Sequence, residues 1–198
     1  MSGVSAVQAI VIRDLIRAVR QKGRLVGGIA RSFMWLLLVG AGYNAIARVD
    51  GAASYQTFIY PGILVMAVLF GAMLTAISTV YDREFGMLRL MLASPAGVPS
   101  LLIGRTIAAT VIGLMQGAFV LIALPFLLSI TARQWVVVLA VILLGAVTSS
   151  VLGLLVAAPL RSVENFASIV NIVLFPLIFL SGALYPTTHM PVALRIVA

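Results

Sequence analysis

Asp14, Asp50, Asp82, Glu84 and Glu164 are the only carboxylates in this 198-residue chain, His189 is its only imidazole, Lys22 its only lysine, and cysteine is absent. General acid–base work needs titratable groups brought together, and nucleophilic catalysis needs a nucleophile, a base and a group that orients the base. One histidine and scattered carboxylates do not make that set. A lone imidazole builds no metal shell either, so the plain reading of His189 is a solvated or interfacial side chain. Without thiolates there is no disulfide framework and no Cys-based metal site. Lys22 stands in Arg20-Gln21-Lys22-Gly23, which lacks the glycine-rich loop whose lysine reaches terminal phosphates. The expectation is a non-enzyme; if the chain takes part in active transport, another polypeptide must supply the energy.

What the chain does carry is arginine, a few amides and long apolar runs. Hydrophobic residues make up 63% of it and charged residues 9%, with mean hydropathy +1.20, far from the roughly 25% charge of a soluble domain. The pI near 11.1 does not argue for nucleic acid, because the bases are spread between apolar runs instead of covering one face of a soluble core. No partner of that class is expected. The fold class that follows is all-α, a polytopic helical membrane protein. Spans are expected at about 28–47, 58–80, 101–128, 135–158 and 166–184, each near the roughly 20 residues needed to cross hydrocarbon. Pro125 is expected to kink the third, Pro159 to stop the fourth and Pro176 to interrupt the fifth. Tyr55 and Tyr60 suit an interfacial aromatic belt.

Residues 1–27 form a separate expectation. Arg13, Arg17, Arg20 and Arg24 recur at i, i+4, i+7 and i+11, one stripe of a helix, with Val4, Val11, Leu15 and Val19 broadly opposite. That pattern fits a helix in the headgroup plane with its basic side toward anionic lipid. No cleavable leader is read in it. Orientation comes from the bases. With a cytoplasmic N-terminus, Arg13, Arg17, Arg20, Lys22, Arg24, Arg31, Arg83, Arg89, Arg105 and Arg161 fall inside and Arg48, Arg133 and Arg195 outside, ten against three, which satisfies the positive-inside bias.

Inside the spans, Gly113 and Gly117, with Ala109 one step along, make a small-residue row that reads as close helix packing within the subunit or against a second copy. Gln116, Asn44 and Asn171 are amides at membrane depth or its edge. Each reads first as an interhelical hydrogen bond and second, for Gln116 and Asn171, as a candidate pathway contact. No acid lies deep in a span, which disfavours an ion-coupled secondary transporter.

The stretch 81–95 is the polar interruption between the second and third spans and would be cytoplasmic. Acids come first, then Leu88, Met91 and Leu92 at helical spacing, then Ser94-Pro95. Glu84-Phe85-Gly86-Met87-Leu88, Ser94-Pro95 and Gly104-Arg105 together resemble the pattern of ABC-2-type transporter permeases. Asn165-Phe166, Asn171, Pro176-Leu177, Ser181-Gly182-Ala183, Pro186 and Pro191 resemble that family's fifth span and outer re-entrant turn. Met87 stands where the family often has Thr, and Arg89 where an acid is frequent. The family has six spans and this sequence stops at Ala198 after five, so an incomplete chain lacking the last span is expected.

The resemblance implies the membrane-spanning permease subunit of an ATP-driven exporter for a hydrophobic or amphipathic substrate such as a drug, lipid or lipid-linked glycan. It implies two permease copies, a cytoplasmic ATPase partner that binds ATP and magnesium, and no cofactor on this chain. It places the protein in a cell membrane, the bacterial plasma membrane by expectation. Residues 81–95 then match the family's coupling helix, which makes Asp82, Arg83, Glu84, Phe85, Gly86, Leu88, Ser94 and Pro95 the candidate ATPase-coupling residues. Asp82 and Glu84 would touch bases on the partner or cap the helix start. The alternative function is a membrane assembly or anchoring subunit without a pathway of its own.

Overall fold

A computed structural model describes residues 3–44, 55–94, 97–122, 125 and 131–184. Within them every regular element is a helix. α1 is Gly3–Arg20; α2 is Lys22–Met34, continued through a π turn at Trp35–Val39 into Gly40–Asn44; α3 is Tyr55–Glu84; α4 is Met87–Leu92; α5 is Gly97–Leu121; α6 is Ala132–Ala157; α7 is Val163–Leu180. Five stretches are long and apolar enough to span a bilayer: Lys22–Tyr43, Tyr55–Glu84, Gly97–Leu121, Arg133–Ala157 and Val163–Leu180.

The bundle is built around α3. A helix covered over most of its surface must be apolar over most of it, and α3 is the most buried span: Ile59, Ile63, Ala67, Val68, Ala72 and Ala76 are each buried. Its neighbours α5 and α6 contribute Val120, Ile142 and Ala146 to the same core. α3 and α5 approach closely because glycine meets glycine. A Cβ on Gly71 would lie 2.8 Å from the Gly113 Cα, and one on Gly113 would lie 2.9 Å from the Val68 carbonyl oxygen. The Gly113/Gly117 row therefore packs within the subunit. On α6 the outward residues Val136, Leu144 and Leu155 are exposed, as expected of a surface solvated by lipid or covered by another chain.

Several expected boundaries shift. α2 starts at Lys22 instead of residue 28, α3 runs three residues earlier and four later than 58–80, and α5 starts at Gly97. The 45–47 end of the first span and residues 123–124 and 126–130 beside Pro125 lie outside the described residues. Pro176 sits inside α7 without ending it, while α6 does end before Pro159. The basic N-terminal helix breaks at Gln21, whose backbone leaves the helical region at ψ 55, so Arg24 belongs to α2 and not to the α1 stripe. Tyr55 and Tyr60 are not belt residues. Both are buried, and their hydroxyls donate to the carbonyls of Leu184 at 2.5 Å and Val120 at 2.8 Å, because a buried phenol needs an acceptor.

The turn after α7 folds back onto the start of α3. Gly182 takes φ +71, and a Cβ on Gly62 would strike the Ala183 carbonyl oxygen at 2.5 Å. Tyr185, Pro186, His189, Pro191 and Arg195 lie outside the described residues.

Candidate functional site

The α3–α4–α5 corner collects the polar groups predicted for coupling, and its helix ends decide which of them stay free. Asp82 sits in the last turn of α3 and is 3% exposed. Its carboxylate accepts from Arg13 at 2.8 Å, Arg17 at 2.6 Å and Arg105 at 2.5 Å. Arg105, 1% exposed, also donates to Thr79 Oγ1 at 2.6 Å. The Met91 sulfur of α4 lies against the guanidiniums of Arg13 and Arg105. Asp82 thus neither caps α4 nor reaches outward; it joins α1, α3 and α5 in one charge-assisted knot. The basic stripe of α1 is correspondingly turned. Arg13 and Arg17 face the protein, while Val4, Ile12, Ile16 and Val19 are exposed on the other side.

Asp14 stands beside that knot, 4% exposed, 3.7 Å from Arg13 and without a hydrogen bond to either oxygen. Burial pushes its carboxyl above the ordinary carboxylate range, against the opposing pull of Arg105 and Arg13.

The next two residues bind the α6–α7 connection. Arg83 donates to the carbonyls of Ala158 and Leu160, and Glu84 Oε2 accepts from the Val163 amide at 3.0 Å. That places a carboxylate on the N-terminus of α7, where the helix dipole favours it. Gly86 then reverses the chain with φ +77, a left-handed conformation that costs other residues about 1–2 kcal/mol. Around this turn several apolar side chains are left exposed: Phe85 is 67% and Leu90 69% exposed, and Met87 and Leu92 are exposed as well, while Met91 turns in toward the knot. Leu88 is half-buried. Tyr81 stacks on Phe85 with centroids 4.5 Å apart, which holds the exposed ring in place. Ser94 Oγ donates back to the Met91 carbonyl at 2.8 Å; Pro95 lies outside the described residues.

Gln116 and Asn171, the candidate pathway residues, line one cavity of about 370 Å³ between α2, α3, α5 and α7. Gln116 is 1% exposed and its amide has no hydrogen-bond partner on either atom, contrary to the interhelical bond expected for it. Asn171 is exposed at the side of the cavity. The side chain of Asn44 lies outside what is described. Sequence reasoning missed the inward roles of Arg105, Arg13 and Arg17. It also missed Gly28, which lies against the Gln116 amide. Arg105 carried one usable signal: an arginine inside an apolar helix needs a paired acid. No group of three His, Cys, Asp or Glu able to hold a metal is found among the described residues.

These features define a multi-pass helical membrane protein, and comparison with known proteins gives its family. Residues 5–198 match the ABC-2 type transporter family; the chain belongs to that family. It is 27% identical to a protein named as a transport permease, ycf38, of Porphyra purpurea, over 98% of this chain and 69% of that one. The Cyanophora paradoxa ycf38 is 30% identical over 96% of this chain and 67% of its own length. The inner membrane transport permease YadH of Escherichia coli K12 is 27% identical, over 70% of this chain and 54% of that one. No solved structure matches the chain.

Proposed function

We propose that this chain is the membrane-spanning subunit of an ATP-driven exporter, and that the corner from Phe85 to Leu92 is where a separate ATPase engages it. The observation that supports the reading most is the division of labour at the end of α3. Asp82, Arg83 and Glu84 are spent inside the chain, and the apolar side chains that follow are left exposed on a short helix those ties make rigid. A partner that grips Phe85 and Leu90 would move α3, α5, α1 and the start of α7 together, because packed helices shift as bodies. ATP and magnesium would be bound by that ATPase, and two permease copies would form the pathway for a hydrophobic or amphipathic substrate. The clustering of Arg13, Arg17, Arg20, Lys22, Arg24, Arg83, Arg89 and Arg105 at one end of the bundle supports a cytoplasmic location for that end. The name of the YadH relative supports a bacterial inner membrane.

The test co-produces the permease with its ATPase and measures hydrolysis in liposomes. Phe85→Asp with Leu90→Asp is expected to abolish ATPase recruitment while leaving the elution profile and melting of the permease unchanged. Full recruitment by that variant would reject the corner as the docking element.

A further inference from the structure

The cavity between α2, α3, α5 and α7 has a chemical asymmetry that specifies what would fill it. Arg24, Gly27, Gly28 and Arg31 fall at i, i+3, i+4 and i+7 of α2 and all line it, so one helix face presents a glycine notch between two guanidiniums. The notch seats the Gln116 amide: a Cβ on Gly28 would lie 2.7 Å from both its nitrogen and its oxygen and would push that side chain aside. Behind it Gln116 is held 1% exposed with no partner, an arrangement that leaves the desolvation cost of a buried amide uncompensated. Neither Arg24 nor Arg31 has a carboxylate within 4.0 Å among the described residues. Arg31 instead lies over the Phe70 ring, 4.8 Å from its centroid. The opposite wall is apolar, formed by Leu74 and Ile77 of α3 and Val170 of α7. Arg24 also borders a second hollow of about 630 Å³ with Arg20 and Lys22, which extends the basic surface outward from the cavity mouth.

We propose that this cavity binds an anionic amphiphile. Its acidic head is held by Arg24 and Arg31, a polar group near the head is hydrogen-bonded by Gln116, and its tail lies along Leu74, Ile77 and Val170. Each alternative leaves part of the site unused. A neutral hydrophobe satisfies neither the guanidiniums nor the amide, a cation is repelled by the mouth, and a small soluble anion gains nothing from the apolar wall. The inference rests on the transport reading above and names the substrate class for it.

The experiment uses the full permease with its ATPase in phosphatidylcholine nanodiscs, without nucleotide. The probes are a phosphatidic acid carrying a diazirine in its acyl chain and the matching neutral diacylglycerol, with cross-links mapped by mass spectrometry. Phosphatidic acid is expected to label residues 70–77 and 166–171 selectively, with Gln116→Leu and Arg24→Gln/Arg31→Gln each weakening labelling about tenfold. Arg24→Lys/Arg31→Lys should retain most of it, which separates loss of charge from loss of fold. Equal labelling by diacylglycerol, labelling spread over the exposed face of α6, or indifference to the glutamine variants would overturn the proposal. So would full displacement by glycerol 3-phosphate, which would mark a site for a free anion. Because labelling needs neither hydrolysis nor flux, its failure with ATPase recruitment intact rejects the ligand class alone. Failed recruitment with labelling intact rejects only the coupling reading.

Discussion

Asp82 and Gln116 are buried to nearly the same degree, 3% and 1% exposed, and they lie on helices that touch, yet their surroundings are opposite. Three guanidiniums surround the Asp82 carboxylate, whereas the Gln116 amide has no partner and lies behind Gly28 at the wall of a cavity. A polar group paired from several helices fixes those helices relative to each other; an unpaired amide beside a cavity keeps hydrogen-bonding capacity for a ligand. On the proposed reading the first region transmits a displacement and the second receives a ligand.

The contrast breaks most severely at Asp82. Asp82→Ala leaves Arg105 buried without a counter-charge, and removing one partner of a buried pair costs about 3–5 kcal/mol. The variant is expected to lose most monodisperse permease in detergent. The double variant Asp82→Leu/Arg105→Met, which removes both buried charges, should recover much of the yield even though Arg13 and Arg17 then turn to water. Gln116→Leu should leave yield unchanged or improve it, since an unpaired amide holds nothing together. Equal losses for Asp82→Ala and Gln116→Leu would erase the distinction between the two regions.

The seam between them is the next largest target. Gly113→Val brings its Cβ within 2.9 Å of the Val68 carbonyl oxygen, and backbone cannot yield as a flexible side chain can. Overpacking of that kind costs about 1–3 kcal/mol, and the expected result is a lowered melting midpoint. Gly145→Val on α6, where a Cβ meets nothing within 4 Å, is the matched control and should melt no lower than the parent chain.

Much of the bundle was legible because a membrane span announces itself by length and composition alone. Five of them, their order and the small-residue row at Gly113 and Gly117 needed no partner to be seen. The pairings were not legible. Asp82 finds Arg105 23 residues away and Arg13 69 residues away, and periodicity says which face a residue occupies, not which helix that face meets. The α1 stripe shows the consequence: its arginines suit lipid phosphates as well as they suit Asp82. Gly71 went unnoticed for the same reason, since a solitary glycine acquires meaning only when Gly113 stands opposite. Glu84 shows that an acid in that stretch can be engaged within the chain: its carboxylate closes the α7 N-terminus, and Phe85, Met87, Arg89, Leu90 and Leu92 are among the side chains left exposed.

Two smaller changes sharpen that last point. Glu84→Ala removes the acceptor on the Val163 amide, worth about 0.3–1 kcal/mol at a helix N-terminus, while Glu84→Gln keeps an acceptor oxygen and should retain most of it. Amide exchange at residues 163–166 is the measurement, with faster exchange expected in the alanine variant only. Gly86→Ala strains the left-handed turn at about 1 kcal/mol and displaces Phe85 and Leu90 relative to the bundle. It should weaken ATPase recruitment more than it lowers the melting midpoint.

The smallest expected effect belongs to Asp14, which tests whether saturation at the knot ends with Asp82. Its carboxyl is raised above the ordinary value of 3.8 by burial, so the folded chain holds that proton at pH values where the unfolded chain has released it. Stability from this group is therefore greatest at low pH and declines as pH rises from 3.8 through the raised folded value. Asp14→Asn removes the ionisation and keeps the shape. The variant should melt higher than the parent at about pH 8, with the gain shrinking toward about pH 4 as the parent carboxyl protonates. A gain that grew on acidification, or a loss at pH 8, would show that ionised Asp14 is a working counter-charge to Arg13 and Arg105. The knot would then contain two acids sharing three guanidiniums, and Asp82→Ala should be correspondingly milder.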